Sequence, residues 1–593
     1  MVVLLMRNIV KNLKVVMASL QHMYEASPTY FIIDIIAGVF QSILILLEIV
    51  ALQTFFDTAA NFVDNASTFA ALTTSLIILM GVYLVKQLAN GVHNHIFVIF
   101  NRKSGGLAIL KMIRKFSIIS SERFEDTSQL EKYNKVQKGA SLIAPFALTI
   151  TALFSLYTLA FVSVSWYLYQ LNPLFIFSLV CIFIPSVISQ LLRVSLFRKL
   201  ENKSVSLRRQ VNYYEKCLAD KKYYMETRLL GCTSYFKNNY KKSMTELNKL
   251  ILKTGLIKNF WTLLLNLLTA LGYLLILFML VDSVLRQQIS LGAFSAVFAS
   301  VARLYRLMDE LIERRIGQAV NDFFGIENYF SFLNEEIQDK EKRPGKIKDI
   351  ILRNVSYIYP DGNQIIHDID LTIKSGESLA IVGVNGSGKT TLCRLISGLY
   401  MPSNGDVLYG NVSTKEIKQD WLHKNTTAIF QNYGKYSMTL KENICISKLE
   451  KPCNNADLDK VCHQASICMA NSLPNGYETL LGREFGGVDI SGGQWQRIGI
   501  ARAIYKDHKL AIFDEPTAAI DPIEESKIYD DFQEISKNKT SILVTHRLAS
   551  VKTMDRIVVM KSGKIVQNGT HEELMNVAGE YKKMYQSQMA WYG

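Results

Sequence analysis

The sequence predicts a multi-domain membrane protein. An all-α half with six transmembrane helices comes first, and an α/β half built round a phosphate-binding loop follows, with an antiparallel β subdomain and a helical subdomain. Three observations carry this prediction. Long apolar runs fill the chain from Tyr30 to about Gly317, the composition beyond Pro344 is that of ordinary soluble protein, and a short apolar strand there leads into "GVNGSGKT" and a helix. The 593 residues are too many for one hydrophobic core. The pattern divides them into an N-terminal helix over 1–28, membrane spans with long extensions over 29–325, a linker over 326–347 and the α/β domain over 348–593.

The six apolar spans lie near 30–55, 68–92, 140–168, 173–196, 258–283 and 288–311, each close to or above the roughly 20 residues that cross a bilayer. Any one of them could be a buried core helix, but six in series, joined by alternating short and long connections, argue against that for the set. Lys and Arg fix the orientation. Residues 101–138 carry nine basic and four acidic residues, and 198–258 carry fifteen and five, whereas the loops "DTAANFVDNAST" and "YQLN" have no Lys or Arg. The long basic segments, both termini and the α/β domain are therefore expected on the cytosolic side. This bias also explains the net charge of +14 without any nucleic acid.

Residues 1–28, with Arg7, Lys11 and Lys14 among apolar neighbours and no small-residue cleavage site, suggest an interfacial amphipathic helix rather than a signal peptide. The eight cysteines show no metal-ligand spacing, and reduced thiols are expected. The two long basic segments read as membrane helices continuing into the cytosol, joined by crosswise pieces within 120–136 and 220–236. Among ionisable residues in the spans, Glu48, Arg303, Arg306 and Asp309 are expected to face the interior. Arg306 either pairs with Asp309 or Glu310 at helical spacing or touches a substrate, and Lys86 is expected to snorkel toward the cytosolic end of its span.

In the α/β half, "DIILRNVSYIYP" turning at Asp361-Gly362 predicts antiparallel strands, while "ESLAIVG", "KLAIFDE" and "TSILVTH" predict a buried parallel sheet. The loop Gly383–Thr390 sits between strand and helix, the context its spacing requires. Gly383, Asn385, Gly386, Ser387, Gly388, Lys389, Thr390 and Thr391 form the candidate nucleotide cradle. Gly386 and Gly388 allow backbone N–H groups to close round a phosphate at a helix N-terminus, Lys389 adds a cation, and Thr390 offers a hydroxyl to Mg²⁺. The strand "KLAIFDE" delivers Asp514 to the metal and Glu515 to an attacking water as general base. His546, ending the next strand, can reach a terminal phosphate.

These ordered motifs resemble the ATP-binding cassette family over about 348–585, and the six-span layout resembles its exporter type. The resemblance implies ATP and Mg²⁺ as ligands. It implies that Tyr359 stacks on adenine, that Gln431 contacts Mg²⁺ and senses the membrane domain, and that Asp521 crosses between subunits. Ser491, Gly492, Gly493 and Gln494 match the family's signature, with Ile490 where Leu is commoner, and would meet the γ-phosphate held by another subunit. One such domain per chain implies a homodimer or a pairing with another half-transporter, and the crosswise pieces would be coupling helices.

The stretches "FQNYGKYSMTLKENI", "LGREFGGVDISGGQWQR" and "FDEPTAAIDPIEE" are similar to exporters of lanthionine-type and related ribosomal peptides. The expected activity is ATP-driven export of a ribosomally made peptide, modified or not, across the bilayer. A multidrug or lipid exporter with the same engine is the alternative. About 28 residues before the first span are too few for the leader-cleaving protease domain found on some peptide exporters. Six fused spans argue against a soluble ATPase of DNA repair or translation.

Overall fold

The computed structural model describes residues 2–592 except 65, 336–341, 346–347, 432, 469–471, 516–531, 533–535 and 537–538. Within several helices it describes the backbone alone, notably at 2–11, 177–183, 193–199, 309 and 312–314. Two compact units result: Met1–Ser117 with Lys132–Glu335, and Ile118–Glu131 with Glu336–Gly593.

The first unit is helical. Its elements are α1 (Val2–Ala26), α2 (Pro28–Val63), α3 (Phe69–Phe116), α4 (Thr127–Ala152), α5 (Leu159–Leu171), α6 (Leu174–Ala219), α7 (Lys221–Leu229), α8 (Thr233–Leu285), α9 (Leu291–Asp309) and α10 (Gly317–Leu333). Local chemistry sets the starts. Proline stands at the first turn of α2. Thr68 Oγ1 accepts from Ala71 N at 3.3 Å to cap α3, and Ser290 Oγ accepts from Ala293 N at 3.0 Å to cap α9.

Among the described residues, five helical stretches are long and apolar enough to cross a membrane: Pro28–Val63, Phe69–Phe116, Lys132–Leu171, Thr233–Leu285 and Leu291–Met308. The remaining expected span falls on α6. Helices α3, α6 and α8, of 48, 46 and 53 residues, far exceed a bilayer's thickness. Inside the bundle, Ile45 and Ile49 of α2 pack with Ala160 and Val164 of α5 and with Val297 and Val301 of α9. Helix α1 joins through Met23 against Phe100 and Ala147.

Two π-helical segments, Leu153–Thr158 and Glu310–Ile316, link α4 to α5 and α9 to α10 without breaking the helices. No sequence signal announced either one.

Several expectations change at this level. Lys86 does not snorkel: its Nζ donates to Glu48 Oε2 at 2.5 Å, because a carboxylate on the neighbouring helix satisfies the charge inside the bundle. Glu310 pairs with Arg315 at 3.5 Å rather than with Arg306, and the side chain of Asp309 lies outside the described residues. The crosswise piece within 220–236 is α7, begun by Asp220 Oδ1 accepting from Lys222 N at 2.9 Å. The one within 120–136 is only a 3₁₀ turn, Ser121–Phe124; Asp126, a residue type favoured before helices, precedes α4 at Thr127. Cys445 and Cys453 form a disulfide with Cα atoms 6.1 Å apart, against the expectation of reduced thiols, since the chain after Cys445 folds back within reach.

The second unit holds two sheets. Strands β1 (Ile350–Ile358), β2 (Gln364–Ile373), β4 (Asn404–Tyr409) and β5 (Val412–Ser413) form an antiparallel sheet in the order β2-β1-β4-β5. The larger sheet runs β10-β9-β3-β8-β7-β6, from β3 (Ser378–Gly383), β6 (Thr426–Ile429), β7 (Leu510–Asp514), β8 (Thr540–Val544), β9 (Arg556–Lys561) and β10 (Lys564–Gly569). It is parallel except at the β9–β10 hairpin.

Strands β7 and β8 are buried throughout, so alternate residues serve opposite cores. Leu379, Ile381, Ile512 and Val544 face α11 (Lys389–Ile396) and the antiparallel sheet. Ala380, Val382, Phe513 and Leu543 face the helical subdomain, which contains α13 (Leu440–Cys445), α14 (Asn455–Gln464) and α15 (Gly492–Tyr505), numbered after α12 (Gln419–Asn425). Helices α16 (His571–Asn576) and α17 (Glu580–Tyr592) end the chain. Residues 118–131 belong to this unit through two carboxylates. Glu122 Oε1 accepts from the Tyr357 hydroxyl at 3.3 Å, and Glu125 Oε1 accepts from Tyr400 at 2.5 Å and from Arg394 at 3.2 Å.

Candidate functional site

The site is built where β3 gives way to α11. Gly383 ends the strand against the neighbouring strand β9: a Cβ there would lie 2.3 Å from the Met560 carbonyl oxygen. Gly388 takes φ +99°, and its Cβ would meet Ile366 Cδ1 at 2.8 Å, so only glycine lets the loop turn tightly into the helix. Lys389 begins α11 and folds back over the loop, donating to the carbonyls of Gly383 at 2.9 Å and Val384 at 3.2 Å. Burial pushes its pKa down, while Glu515 and Asp514 oppose the fall.

Asp514, at the end of β7, is 1% exposed; its carboxylate oxygens make no hydrogen bond of ordinary geometry, and the Thr390 hydroxyl stands beside them. Burial pushes its pKa up; the nearby Thr390 hydroxyl works against this, the Glu515 charge adds to it, and Lys389 also opposes it. A buried carboxylate without a hydrogen bond of ordinary geometry, beside a threonine hydroxyl and a phosphate-loop lysine, has the chemistry of a hard-cation ligand. Thr390, Asp514 and Gln431 line one cavity of about 240 Å³, together with Arg394, Glu125 and Phe430. The Ser387 hydroxyl is likewise buried without a partner. These residues therefore fit a phosphate with its magnesium.

Glu515 stands just beyond β7 with φ +51°, its N–H donating to Val544 O at 2.9 Å. A glutamate held in the left-handed region is strained, and such strain marks a position fixed by its surroundings. His546 Nδ1 lies 3.5 Å from Glu515 Oε1. Sequence reading missed what holds that histidine: Gln588 of α17 accepts from Leu548 N at 2.8 Å and donates to the His546 carbonyl. Only the fold brings a residue 42 positions away to this loop.

Tyr359 packs edge-on against Tyr357 and Tyr400, and its hydroxyl meets Thr391 Oγ1 at 3.1 Å. Arg394, Tyr400 and Glu125, which border the cavity, carry no motif and went unnoticed in the sequence.

Ser491 caps α15, and its bonds form a closed capping box. Ser491 Oγ accepts from Gln494 N at 3.2 Å, and Gln494 Oε1 accepts from Ser491 N at 2.8 Å. The Gly492 carbonyl accepts from Tyr433 at 2.8 Å, and Gly493 follows in the first turn. Among the described residues, no hydrogen bond or ion pair joins 491–494 to 383–391. Asp521 lies outside the described residues.

Residues 366–518 match the family model described as ABC transporter. The subtilin transport ATP-binding protein SpaT of Bacillus subtilis is 33% identical over 498 residues, 81% of this chain and 79% of that protein. The nisin transport ATP-binding protein NisT of Lactococcus lactis subsp. lactis is 29% identical over 491 residues, 80% of this chain and 81% of that one. Among solved structures, a bacterial Atm1-family ABC exporter with ATP bound superposes with a TM-score of 0.76. It covers 94% of this chain and 99% of its own at 20% identity, a likeness of fold alone.

Proposed function

The chain belongs to the ABC transporter family, and from that premise we propose that two copies form an exporter for a ribosomally made peptide, modified or not. ATP hydrolysis coupled to transport is the family's activity. The observation that supports a peptide is that relatives named for subtilin and nisin transport align over about four-fifths of the chain. Residues 29–325 form the membrane domain and 348–593 the nucleotide domain, joined by 326–347. The excess of Lys and Arg in the long connections supports a cytosolic nucleotide domain and cytosolic termini, with the helix over 1–28 at the membrane interface.

The nucleotide is held by this chain's own groups. Backbone N–H groups of the loop and the Lys389 ammonium, released from the Gly383 and Val384 carbonyls, bind the phosphates, and Tyr359 faces the base. Thr390, Asp514 and Gln431 would hold Mg²⁺, which supplies positive charge to the phosphate oxygens. Glu515 orients the attacking water and takes its proton, and His546, 3.5 Å away, donates toward the terminal phosphate. Ser491, Gly492, Gly493 and Gln494 come from the second copy, as does Asp521 at the shared boundary. Support for this shared site is the capping box that Ser491 and Gln494 close at the start of α15, which sets the signature residues at a helix N-terminus. Closure round ATP and reopening after hydrolysis shift the membrane domain between inward- and outward-open states.

The test is uptake into inverted membrane vesicles, comparing the host's own precursor and mature peptides with phospholipids and cationic dyes. ATP-dependent peptide uptake supports the reading. Accumulation of dyes or lipids with no peptide uptake refutes it and leaves a multidrug or lipid exporter.

A further inference from the structure

The helical unit contains two adjoining cavities, one between α2, α3 and α9 and the other bounded also by the π-helical segments Leu153–Thr158 and Glu310–Ile316. One, of about 640 Å³, is lined mainly by apolar side chains, among them Leu52, Leu76, Met80 and Leu84. The other, of about 510 Å³, is polar. Glu48, Tyr83, Arg303 and Arg306 line both and so mark the seam. Each lobe lies within the roughly 300–1,000 Å³ typical of a binding site. Together they offer an apolar wall continuous with a charged one.

The charges in the polar lobe are unequal. Among the described residues that line it, Lys86, Arg303, Arg306 and Arg315 face Glu48 and Glu310, and Asp34 stands behind the lining His93, 3.6 Å from its ring. Glu48 serves two cations at once, 2.5 Å from Lys86 and 3.0 Å from Arg303. Arg315 takes Glu310. Arg306 makes no ion pair among the described residues, and the buried Arg303 Nε–H has no acceptor. Unbalanced cations in a membrane interior are costly and mark function.

We propose that this two-lobed cavity recognises an amphipathic peptide segment bearing carboxylates beside apolar residues. Glu48 is a resident counter-ion that the incoming carboxylate relieves at Arg303, and Arg306, with no ion pair among the described residues, offers the carboxylate a second fork. The inference rests on the peptide-export reading and names the chemistry the site selects. A carboxylate brings the lobe toward neutrality, and a lysine-bearing segment worsens its imbalance. Arginine suits the role because its planar fork pairs with carboxylates in a bidentate manner.

The experiment uses the full-length protein in phosphatidylcholine vesicles. The probes are synthetic peptides that share one apolar sequence and carry Asp, Asn or Lys at the same positions; stimulation of ATP hydrolysis is read against peptide concentration. The Asp peptide should act at a concentration at least about tenfold lower than the Lys peptide, the scale of one charge-assisted bond. Arg306→Gln should erase most of that gap. Glu48→Gln should shift the Asp peptide the other way, to lower concentration, which a merely structural role for both residues would not do. A nucleotide-induced thermal shift confirms that each variant is assembled, and the wild-type comparison decides the matter if one is not.

Equal potency of the Asp and Lys peptides overturns the charge selection and leaves peptide export standing. So does movement of both variants in the same direction. No response to any peptide, with stimulation by added phosphatidylglycerol, overturns this inference and the peptide reading together.

Discussion

Replacing Asp514 by Asn should stabilise the metal-free protein while abolishing its Mg-ATP-dependent activity. The carboxylate is 1% exposed and makes no hydrogen bond of ordinary geometry. Burial drives its pKa up, ahead of the Thr390 hydroxyl, the Glu515 charge and the Lys389 cation, and the net direction is upward. Burial therefore outweighs the attraction of Lys389. At neutral pH the ionised group costs stability. At a pH below the ordinary carboxylate value near 4 it is protonated in both folded and unfolded chains and costs nothing, and the penalty grows as pH rises through the higher folded value. Asparagine keeps the shape and removes the charge. Its buried amide and the lost counter-charge of Lys389, which keeps the Gly383 and Val384 carbonyls, offset part of the gain. A net gain of about 1 kcal/mol follows, or roughly 2–4 °C in melting temperature for a domain of this size. The assay is thermal unfolding of detergent-solubilised protein in EDTA, with and without Mg-ATP afterwards. The variant should melt higher in EDTA near neutral pH, the difference should shrink toward pH 4, and Mg-ATP should stabilise only the wild type. A lower melting temperature for Asp514→Asn in EDTA, or equal stabilisation of both by Mg-ATP, would refute the reasoning.

Glu515→Gln should retain ATP binding and slow hydrolysis at least about a hundredfold, measured as phosphate release; near-normal turnover would assign the base elsewhere. Covalently linked dimers carrying Lys389→Ala on one copy and Ser491→Ala on the other should lose vanadate trapping at one composite site and keep it at the other. Trapping reduced equally at both sites would contradict the shared arrangement. Gly388→Ala places a Cβ at φ +99°, 2.8 Å from Ile366 Cδ1, and should cost about 1–3 kcal/mol of backbone strain, seen as weaker binding of a fluorescent ATP analogue. Gln588→Ala frees the loop carrying His546 and should slow hydrolysis by about two- to tenfold, the worth of one or two hydrogen bonds, without changing ATP affinity.

What the sequence made legible was what is written in local patterns. The spans, the buried strands β3, β7 and β8 and the loop Gly383–Thr390 each carry their chemistry within about twenty residues, so periodicity and turn residues suffice. Glu515 and His546 could be nominated because each ends a strand, and adjacent parallel strands β7 and β8 bring those ends together. What stayed hidden depends on partners far along the chain. Within its own span Lys86 has the pattern of an interfacial lysine, and only the fold sets Glu48, 38 residues earlier, beside it. Gln588 gives no sign of its role without the fold. Both π-helical segments arise from packing rather than composition, and Cys445 and Cys453 resemble any pair of cytosolic cysteines until the chain between them turns back. The cavity charges were visible as unusual residues, but their imbalance was not, because it depends on which carboxylate serves which cation.

The placement of residues 118–131 in the second unit has a consequence for biosynthesis. Glu125 is separated from Tyr400, its partner, by 275 residues. The first partner to appear, Tyr357, follows Glu122 by 235 residues, so at roughly 5–20 residues per second of translation the short acidic segment emerges about 12–47 s before anything exists for it to dock on. During that wait most of the membrane helices must be inserted with this connection left open. Glu122 and Glu125 meanwhile lack the tyrosine and arginine partners they hold in the finished fold. The nucleotide domain thus finishes with a piece made long before it, and a ribosome that stalls anywhere before Tyr357 leaves that piece without a seat.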